Sequence, residues 1–326
     1  MKLTFYDKDL NKKEVVFSWL SLLWQTKYND VGIFTAEFQK GLELWGKIQP
    51  LDFVTYDEAP NDIMVVWAIE VKDNKFVVSG RSALSLLENR VSVETVKDVN
   101  AEAAMRHLIA DMANWEGVIL GESKDLPEMF DAQKSNDTIL GYLRAISQYC
   151  DIGIRLIKKG DSLLFECYKP LLNDTVKYSS KYNNMSNEVY FENEFEYRNV
   201  AYVHGQGEGA NRILVVVGET DKVGHQRREM YVDARDIQKE ETETIDQYKA
   251  RLRKRGLEKL SEQIRVVNTT FLLTDTSVKV GDVVVLTPSF FNVTYQARIV
   301  EMTIKSQNNL TQTTIGIGTP VPIRRR

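Results

Sequence analysis

The side chains that most often carry out chemistry are scarce in this 326-residue chain, which has 3 histidines and 2 cysteines. His107 lies beside Leu108 in an amphipathic segment, where a half-buried helix residue is the plain reading. His204 and His225 flank a hairpin-like stretch, and Asp221 or Asp233 would be the third ligand of a metal site there. No metal-motif spacing accompanies them, so neither a metal nor a cofactor is expected. Cys150 and Cys167 make no disulfide framework and read as buried free thiols; a nucleophilic Cys–His pair would need His107 or His204 to approach one of them. Glu192, Glu194 and Glu196 alternate as along one strand face, with Tyr190, Phe191, Phe195 and Tyr197 nearby. That pattern suits a solvated face, or the carboxylate pair of a carbohydrate-active enzyme, which would have to oppose two carboxylates across an aromatic-lined cleft. Gly205, Gly207 and Gly209 punctuate a glycine-rich stretch, Gly205–Ala210. It lacks the Lys-Ser/Thr of a phosphate loop, precedes a strand and carries Glu208, so a tight connection between two strands is expected. The densest polar run is Arg227–Asp236. Its Arg228, Glu229, Asp233, Arg235 and Asp236 are expected to form ion pairs at a domain junction or subunit contact, with no catalytic role.

Composition narrows the classes further. Lys+Arg total 42 and Asp+Glu 46, a net charge of -4, which excludes a globally basic protein held by phosphate contacts. A local nucleic-acid surface would have to come from Lys249–Lys259, with Arg251, Arg253 and Arg255, and from Arg324–Arg326. No signal-peptide pattern opens the chain, and no apolar run reaches the roughly 18 residues that a bilayer helix needs.

The elements that must position these residues are mostly strands. Short β-branched runs fill the first ninety residues, with a hairpin at Ile63–Val71 and Phe76–Ser79 around a polar turn. Most of Trp19, Trp24, Trp45 and Trp67 are expected in the core, and Trp24, in the ambiguous stretch Leu20–Tyr28, could face a partner. Helices are expected after Asn100, as N-cap, with Glu102 in the first turn, and from an Asp137 cap to Cys150; Trp115–Lys134 between them reads as irregular. A hairpin turns at Lys159–Asp161, and Leu171–Glu188 reads as a linker or surface excursion. Near 237–264 a charged helix starts on a Thr244/Gln247 capping box, with Gly256 as a flaw of about 1 kcal/mol. The fold class expected is α+β, mainly β. It comprises two small β-barrel tube-type domains, a mixed α/β insertion domain and a long charged helix. Boundaries fall at 1–92 for the first barrel, 93–172 for the insertion and 173–326 for the second barrel.

The order of pieces carries a resemblance. Val77-Val78-Ser79-Gly80-Arg81-Ser82-Ala83-Leu84 is followed by Asn199-Val200-Ala201-Tyr202-Val203-His204-Gly205-Gln206-Gly207-Glu208-Gly209, then Tyr231-Val232-Asp233-Ala234-Arg235-Asp236, a charged helix and Val280-Gly281-Asp282-Val283. This series resembles the tail hub proteins of siphophages and related prophages, which are similar to the hubs of contractile tails. The resemblance implies a homotrimer whose two barrels per chain make a ring with pseudo-six-fold symmetry. Such a ring would join a distal tail or tail tube protein above to tip, fibre or receptor-binding proteins below. DNA would pass through its channel without specific binding. The resemblance also implies a location in the virion tail, assembly in the bacterial cytoplasm, no membrane segment, no cofactor and no catalytic step. Receptor-binding or wall-degrading extensions of longer relatives are expected to be other proteins' work here.

Overall fold

The computed structural model describes residues 1–40, 44–60, 62–110, 117–263, 266–273, 278–287, 289, 294–308 and 310–318. The chain divides into two compact units, one of residues 1–130, 134–190 and 268–326, the other of 131–133 and 191–267.

The first unit opens with seven strands: β1 (Leu3–Tyr6), β2 (Lys12–Val16), β3 (Ser21–Lys27), β4 (Ile33–Gln39), β5 (Phe53–Tyr56), β6 (Met64–Lys72) and β7 (Lys75–Ser82). The β6–β7 hairpin is the one expected, turning through Asp73 and Asn74 at φ 49° and 64°, values that short polar residues tolerate. A 3-10 turn, Ala83–Asn89, leads into a contiguous insertion. This holds β8 (Val91–Asn100), α1 (Ala101–Ala110), β9 (Val118–Leu120), β10 (Met129–Thr138), α2 (Ile139–Cys150), β11 (Gly153–Lys159) and β12 (Ser162–Tyr168). The chain then forms β13 (Leu172–Ser179) and β14 (Met185–Asn193), where the composition of Leu171–Glu188 reads as a linker or surface excursion. After the second unit it closes the first with β18 (Val266–Leu273), β19 (Val283–Thr287), β20 (Tyr295–Gln307) and β21 (Leu310–Gly318).

The expected β-barrels are not there. Among the described residues a 13-stranded sheet runs β14-β18-β21-β20-β3-β4-β7-β6-β5-β1-β2, with β19 on β20 and β13 on β19. Its end strands β2 and β14 each have a single neighbour, and none of the sheets is closed or strongly curled. The reason lies in one pairing. β3 bonds β4 along one edge and β20 along the other, from Lys27↔Glu301 to Ser21↔Gln307. The N-terminal strands therefore continue into the C-terminal ones, and neither set closes on itself.

Two apolar clusters lie on this sheet. One gathers Leu3, Phe5, Leu22, Trp24, Phe34, Phe38, Tyr56 and Val78 with Ile304 from the far end of the chain. Trp24, expected at a possible partner surface, is fully buried between Phe34 and Tyr56, with ring centroids at 5.7 Å from each. Its indole N–H donates to Asp62 at 3.2 Å, and burial raises that carboxyl's pKa. Trp45 is the reverse case, 73% exposed. The second cluster joins Tyr178, Met185, Phe271, Leu286, Ile299, Ile315 and Ile317.

In the insertion, α1 starts as expected: Asn100 Oδ1 accepts the Ala103 amide at 2.9 Å. Glu102 does more than favour the helix dipole. It is buried, and its two oxygens accept the Lys124 and Leu126 amides at 2.8 and 2.9 Å, pinning the 121–127 stretch. The α2 cap is Thr138 in place of Asp137; its hydroxyl accepts the Gly141 amide at 3.0 Å while Asp137 pairs with Lys134 at 2.8 Å. Cys150 and Cys167 are buried thiols, and burial pushes the Cys167 thiol up to about 12.

The second unit is a three-stranded sheet, β16 (Leu214–Gly218)–β15 (Val200–His204)–β17 (Glu229–Asp233), backed by α3 (Ile245–Glu262).

Candidate functional site

Every residue singled out as an interface candidate lies in this second unit. β15 pairs antiparallel to β16 and parallel to β17, so each β15 residue has a register partner on both sides. The inward face carries Ala201, Val203, Val215, Val217 and Val232, buried against Tyr248 and Leu252 of α3. Alternation then sends Tyr202, His204, Leu214, Val216, Glu229, Tyr231 and Asp233 to the outward face. Gly256 is no flaw. A Cβ there would stand 2.5 Å from methyl carbons of Val203 and of Val217, so the helix lies on the sheet only because this position has no side chain.

The glycine-rich connection joins β15 to β16, as expected, and its shape is dictated from below. A Cβ on Gly205 would meet the Tyr248 hydroxyl at 2.5 Å; Gly207 and Gly209 have φ of 118° and 52°. The Tyr248 hydroxyl accepts the Gln206 amide and donates to the Ile237 carbonyl, both at 2.7 Å. The Gly205 amide bonds Ile213 and the Asn211 amide bonds Glu208. The amides of Gly205, Gln206 and Asn211 are thus taken by the protein itself.

Arg212, which follows this loop, is the residue sequence reasoning missed. Its guanidinium donates to the carbonyls of Gly205 and His204 at 3.0 and 2.6 Å, to Tyr231 Oη at 2.6 Å and to Asp233 Oδ1 at 2.7 Å. Arg235 reaches Asp233 Oδ2 through Nε and Nη2 at 2.9 and 2.6 Å. Between Arg235 and Arg212 the Asp233 carboxyl is held down at about 2. The His204 ring lies 4.9 Å from that of Tyr231, tilted by 33°. At the other end of the face, Arg227 donates to Glu229 and to Tyr202 Oη, and the Tyr202 hydroxyl donates to Glu229 at 3.0 Å. These contacts, Arg227 first, lower the Glu229 pKa.

The remaining candidates serve elsewhere. The Arg228 amide bonds Asn199 Oδ1 at 2.8 Å, and its guanidinium reaches the Glu194 carbonyl and, at 3.7 Å, its carboxylate. Asp236 pairs with Arg255 of α3 at 3.0 Å. The structure therefore brings Arg212, Asp233 and Arg235 into one network, Arg227 and Glu229 into a second, and keeps Arg228 and Asp236 in separate pairs.

Other sequence candidates disperse. His225 precedes β17 and His204 ends β15; because those strands are parallel, the two histidines sit at opposite ends. Among the described residues no group of three or more His, Cys, Asp or Glu is placed to hold a metal ion. His107 is exposed, 3.3 Å from Glu94. Glu194 and Glu196 follow the end of β14 and do not continue a strand face, while the Glu192 side chain lies outside the described residues. In the basic stretch of α3, Arg251 pairs with Glu243 at 3.1 Å and Arg255 with Asp236. Arg324–Arg326 lie outside the described residues.

Comparison with known proteins places this architecture. The family described as Siphovirus ReqiPepy6 Gp37-like protein matches residues 2–319. No curated protein matches the chain. Among solved structures, the tail protein from Neisseria meningitidis MC58 is 12% identical, with 98% of each chain covered and a TM-score of 0.62. The 43 kDa tail protein of prophage MuSo2 from Shewanella oneidensis is 10% identical, with 98% of this chain and 99% of that chain covered and a TM-score of 0.60. Prophage tail protein gp18 from Listeria monocytogenes EGD-e is 10% identical, with 99% and 95% covered and a TM-score of 0.57. At these identities the likeness is one of fold.

Proposed function

The chain belongs to the Siphovirus ReqiPepy6 Gp37-like protein family, and from that membership we infer that it is a structural hub of a phage or phage-like tail tip. The observation that carries this reading is the match along residues 2–319, supported by a fold shared along nearly the whole chain with three tail proteins. In the proposed role three copies form a ring with pseudo-six-fold symmetry. The ring joins the hexameric tail tube, or a distal tail protein, above to tip, fibre or receptor-binding proteins below, and it surrounds the DNA path. The protein acts by its shape and contacts and performs no catalytic step.

The second unit supplies a surface suited to such contacts. Tyrosine and arginine are the residue types enriched at energetic centres of interfaces, and guanidiniums already fixed by carboxylates lose little freedom when a partner binds. Arg228, Glu229, Asp233, Arg235 and Asp236 are proposed to set the register of a subunit or domain contact, with Gly205, Gly207 and Gly209 holding the adjoining loop close. A net charge of -4 fits a conduit that lets DNA pass without gripping it. No helix among the described residues is long and apolar enough to cross a membrane.

The test is imaging of tails assembled with an epitope-labelled chain. The expected result is three copies at the tip end of the tube in every tail. Absence of the chain from finished tails, or its presence elsewhere on the particle, would sink the reading.

A further inference from the structure

The second unit leaves one β edge unguarded. Native sheets protect their end strands with charges, prolines or bulges. β2 carries Lys12, Lys13 and Glu14, and β17 carries Glu229 and Asp233. β16 reads Leu214-Val215-Val216-Val217-Gly218, with no charge, no proline and an unbroken register on β15. Among the described residues β15 is its only strand neighbour. The Gly205 amide donates to the Ile213 carbonyl and the Glu219 amide to the Asn199 carbonyl, so the odd-numbered residues of β16 bond to β15. The amides and carbonyls of Leu214 and Val216 therefore point away from it.

α3 flanks that edge. A Cβ on Gly256 would stand 2.5 Å from Val203 of β15 and from Val217 of β16, so the helix axis lies midway between the two strands. Tyr248 and Leu252 lie at Gly205 and Leu260 lies at Gly218, so α3 runs in the same direction as β16. Arg255 turns toward Asp236, just past β17. With a helical residue every 100° or so, the opposite flank, on the β16 side, carries Ala250, Arg253 and Leu257. All three are exposed, Leu257 by 47%, and Leu214 on β16 itself is 44% exposed.

We propose that β16 pairs with β16 of a second copy of this chain, antiparallel about a two-fold axis at Val215. In that register Leu214 meets the second copy's Val216, and the outward backbone groups of Leu214 and Val216 are used in both strands. Paired strands lie about 4.8 Å apart, which puts the two α3 axes two spacings apart, at about 10 Å, the distance at which helices pack. The levels agree as well. Gly256 touches the Val203–Val215 and Ala201–Val217 rows and so is level with Val216; about two and a half residues back, at about 1.5 Å each, α3 is level with Val215. The axis then passes between Arg253 and Lys254, and Leu257 meets the second copy's Ala250. Two Arg253 side chains approach there, and their repulsion keeps the pair weak and reversible. The inference goes beyond the hub reading and does not rest on it: a two-fold pair of free chains is not the ring.

The experiment is sedimentation equilibrium of the full chain at rising protein concentration, with circular dichroism to check that each variant folds. The expected result is a reversible monomer–dimer equilibrium. Leu214→Lys, which puts a charge on the bare edge, weakens it by about tenfold or more, and Arg253→Leu, which removes the repulsion, strengthens it. Should Leu214→Lys fail to fold, Leu257→Lys, at an exposed position on α3, is read the same way. A chain that stays monomeric at every concentration overturns the proposal. So does a dimer that neither lysine variant weakens, or that Arg253→Leu weakens. A trimer indifferent to these variants overturns it too and leaves the hub reading standing. Monomers whose β16 amides gain hydrogen-exchange protection from an added Thr-Val-Thr-Val-Thr-Val peptide would also overturn it, the edge then belonging to a foreign strand.

Discussion

Gly256 occupies the middle of α3, where glycine ordinarily costs about 1 kcal/mol relative to alanine. Its neighbours reverse the sign. An alanine methyl would lie 2.5 Å from both Val203 and Val217, atoms buried in the sheet and unable to retreat cheaply. Gly256→Ala is expected to destabilise by about 1–3 kcal/mol, the usual range for overpacking. Urea denaturation measures it, and a variant more stable than the parent would show that the helix has room to lift. Asp233 makes a second prediction at this scale. Its folded pKa of about 2 lies below the ordinary 3.8, so its contribution is present above the unfolded value and lost as pH falls through the folded one. The melting-temperature difference between parent and Asp233→Asn should therefore hold steady from pH 7 to about 5 and shrink below about 4. A difference that is constant down to pH 2 would mean that Asp233 is not held by Arg235 and Arg212. Some residue-scale features were legible and others were not. Asp233 and Arg235 stand out in the sequence because they are neighbours, but Arg212 does not, since its link to Asp233 spans the return of β16 and β17 on β15. Trp24 was ambiguous for the same reason: its burial is decided by Phe34, Tyr56 and Asp62, none of which is local.

At the scale of elements, α3 shows what local chemistry can specify. The Thr244 hydroxyl accepts the Gln247 amide at 3.3 Å, and Gln247 Oε1 accepts the Thr244 amide at 2.8 Å, so the capping box expected from the sequence is closed on both sides. Thr244→Ala should cost about 1 kcal/mol, and Thr244→Ser should restore most of it; equal losses from both would show that the methyl packing, not the cap bond, is what matters. The β6–β7 and β11–β12 hairpins were equally legible, because their turns lie between the strands they join. Barrel closure was not. Alternating apolar residues look the same in an open sheet and in a closed one, and the outcome turned on β3 bonding β20, a contact between opposite ends of the chain. Leu171–Glu188 misled for a related reason. β13 is polar in composition, yet it is ordered by parallel pairing to β19, which lies more than a hundred residues later.

For the whole molecule, the route of the chain matters more than any element. The second unit is almost entirely one excursion: the chain leaves at the end of β14 and returns at the start of β18, and those two strands are hydrogen-bonded neighbours in the 13-stranded sheet. Neighbouring strands can be joined by a linker far shorter than this excursion, so the excursion is not required to complete the sheet. The unit also has its own apolar cluster, with Tyr248 and Leu252 of α3 buried against the valines of β15 and β16, and so it does not borrow a core. Replacing residues 194–265 with a flexible Gly/Ser linker of about fifteen residues should leave the first unit folded. The buried Trp24, in van der Waals company with Phe34 and Tyr56, gives a fluorescence signal that should keep its native position and unfold cooperatively. A chain that aggregates or melts without a transition would show that the sheet depends on the excursion after all. If the shortened chain folds but no longer enters tails, the Arg212–Asp233–Arg235 and Arg227–Glu229 surface becomes the part of the protein that its neighbours recognise. If it still enters tails, the contacts that build the hub belong to the sheet.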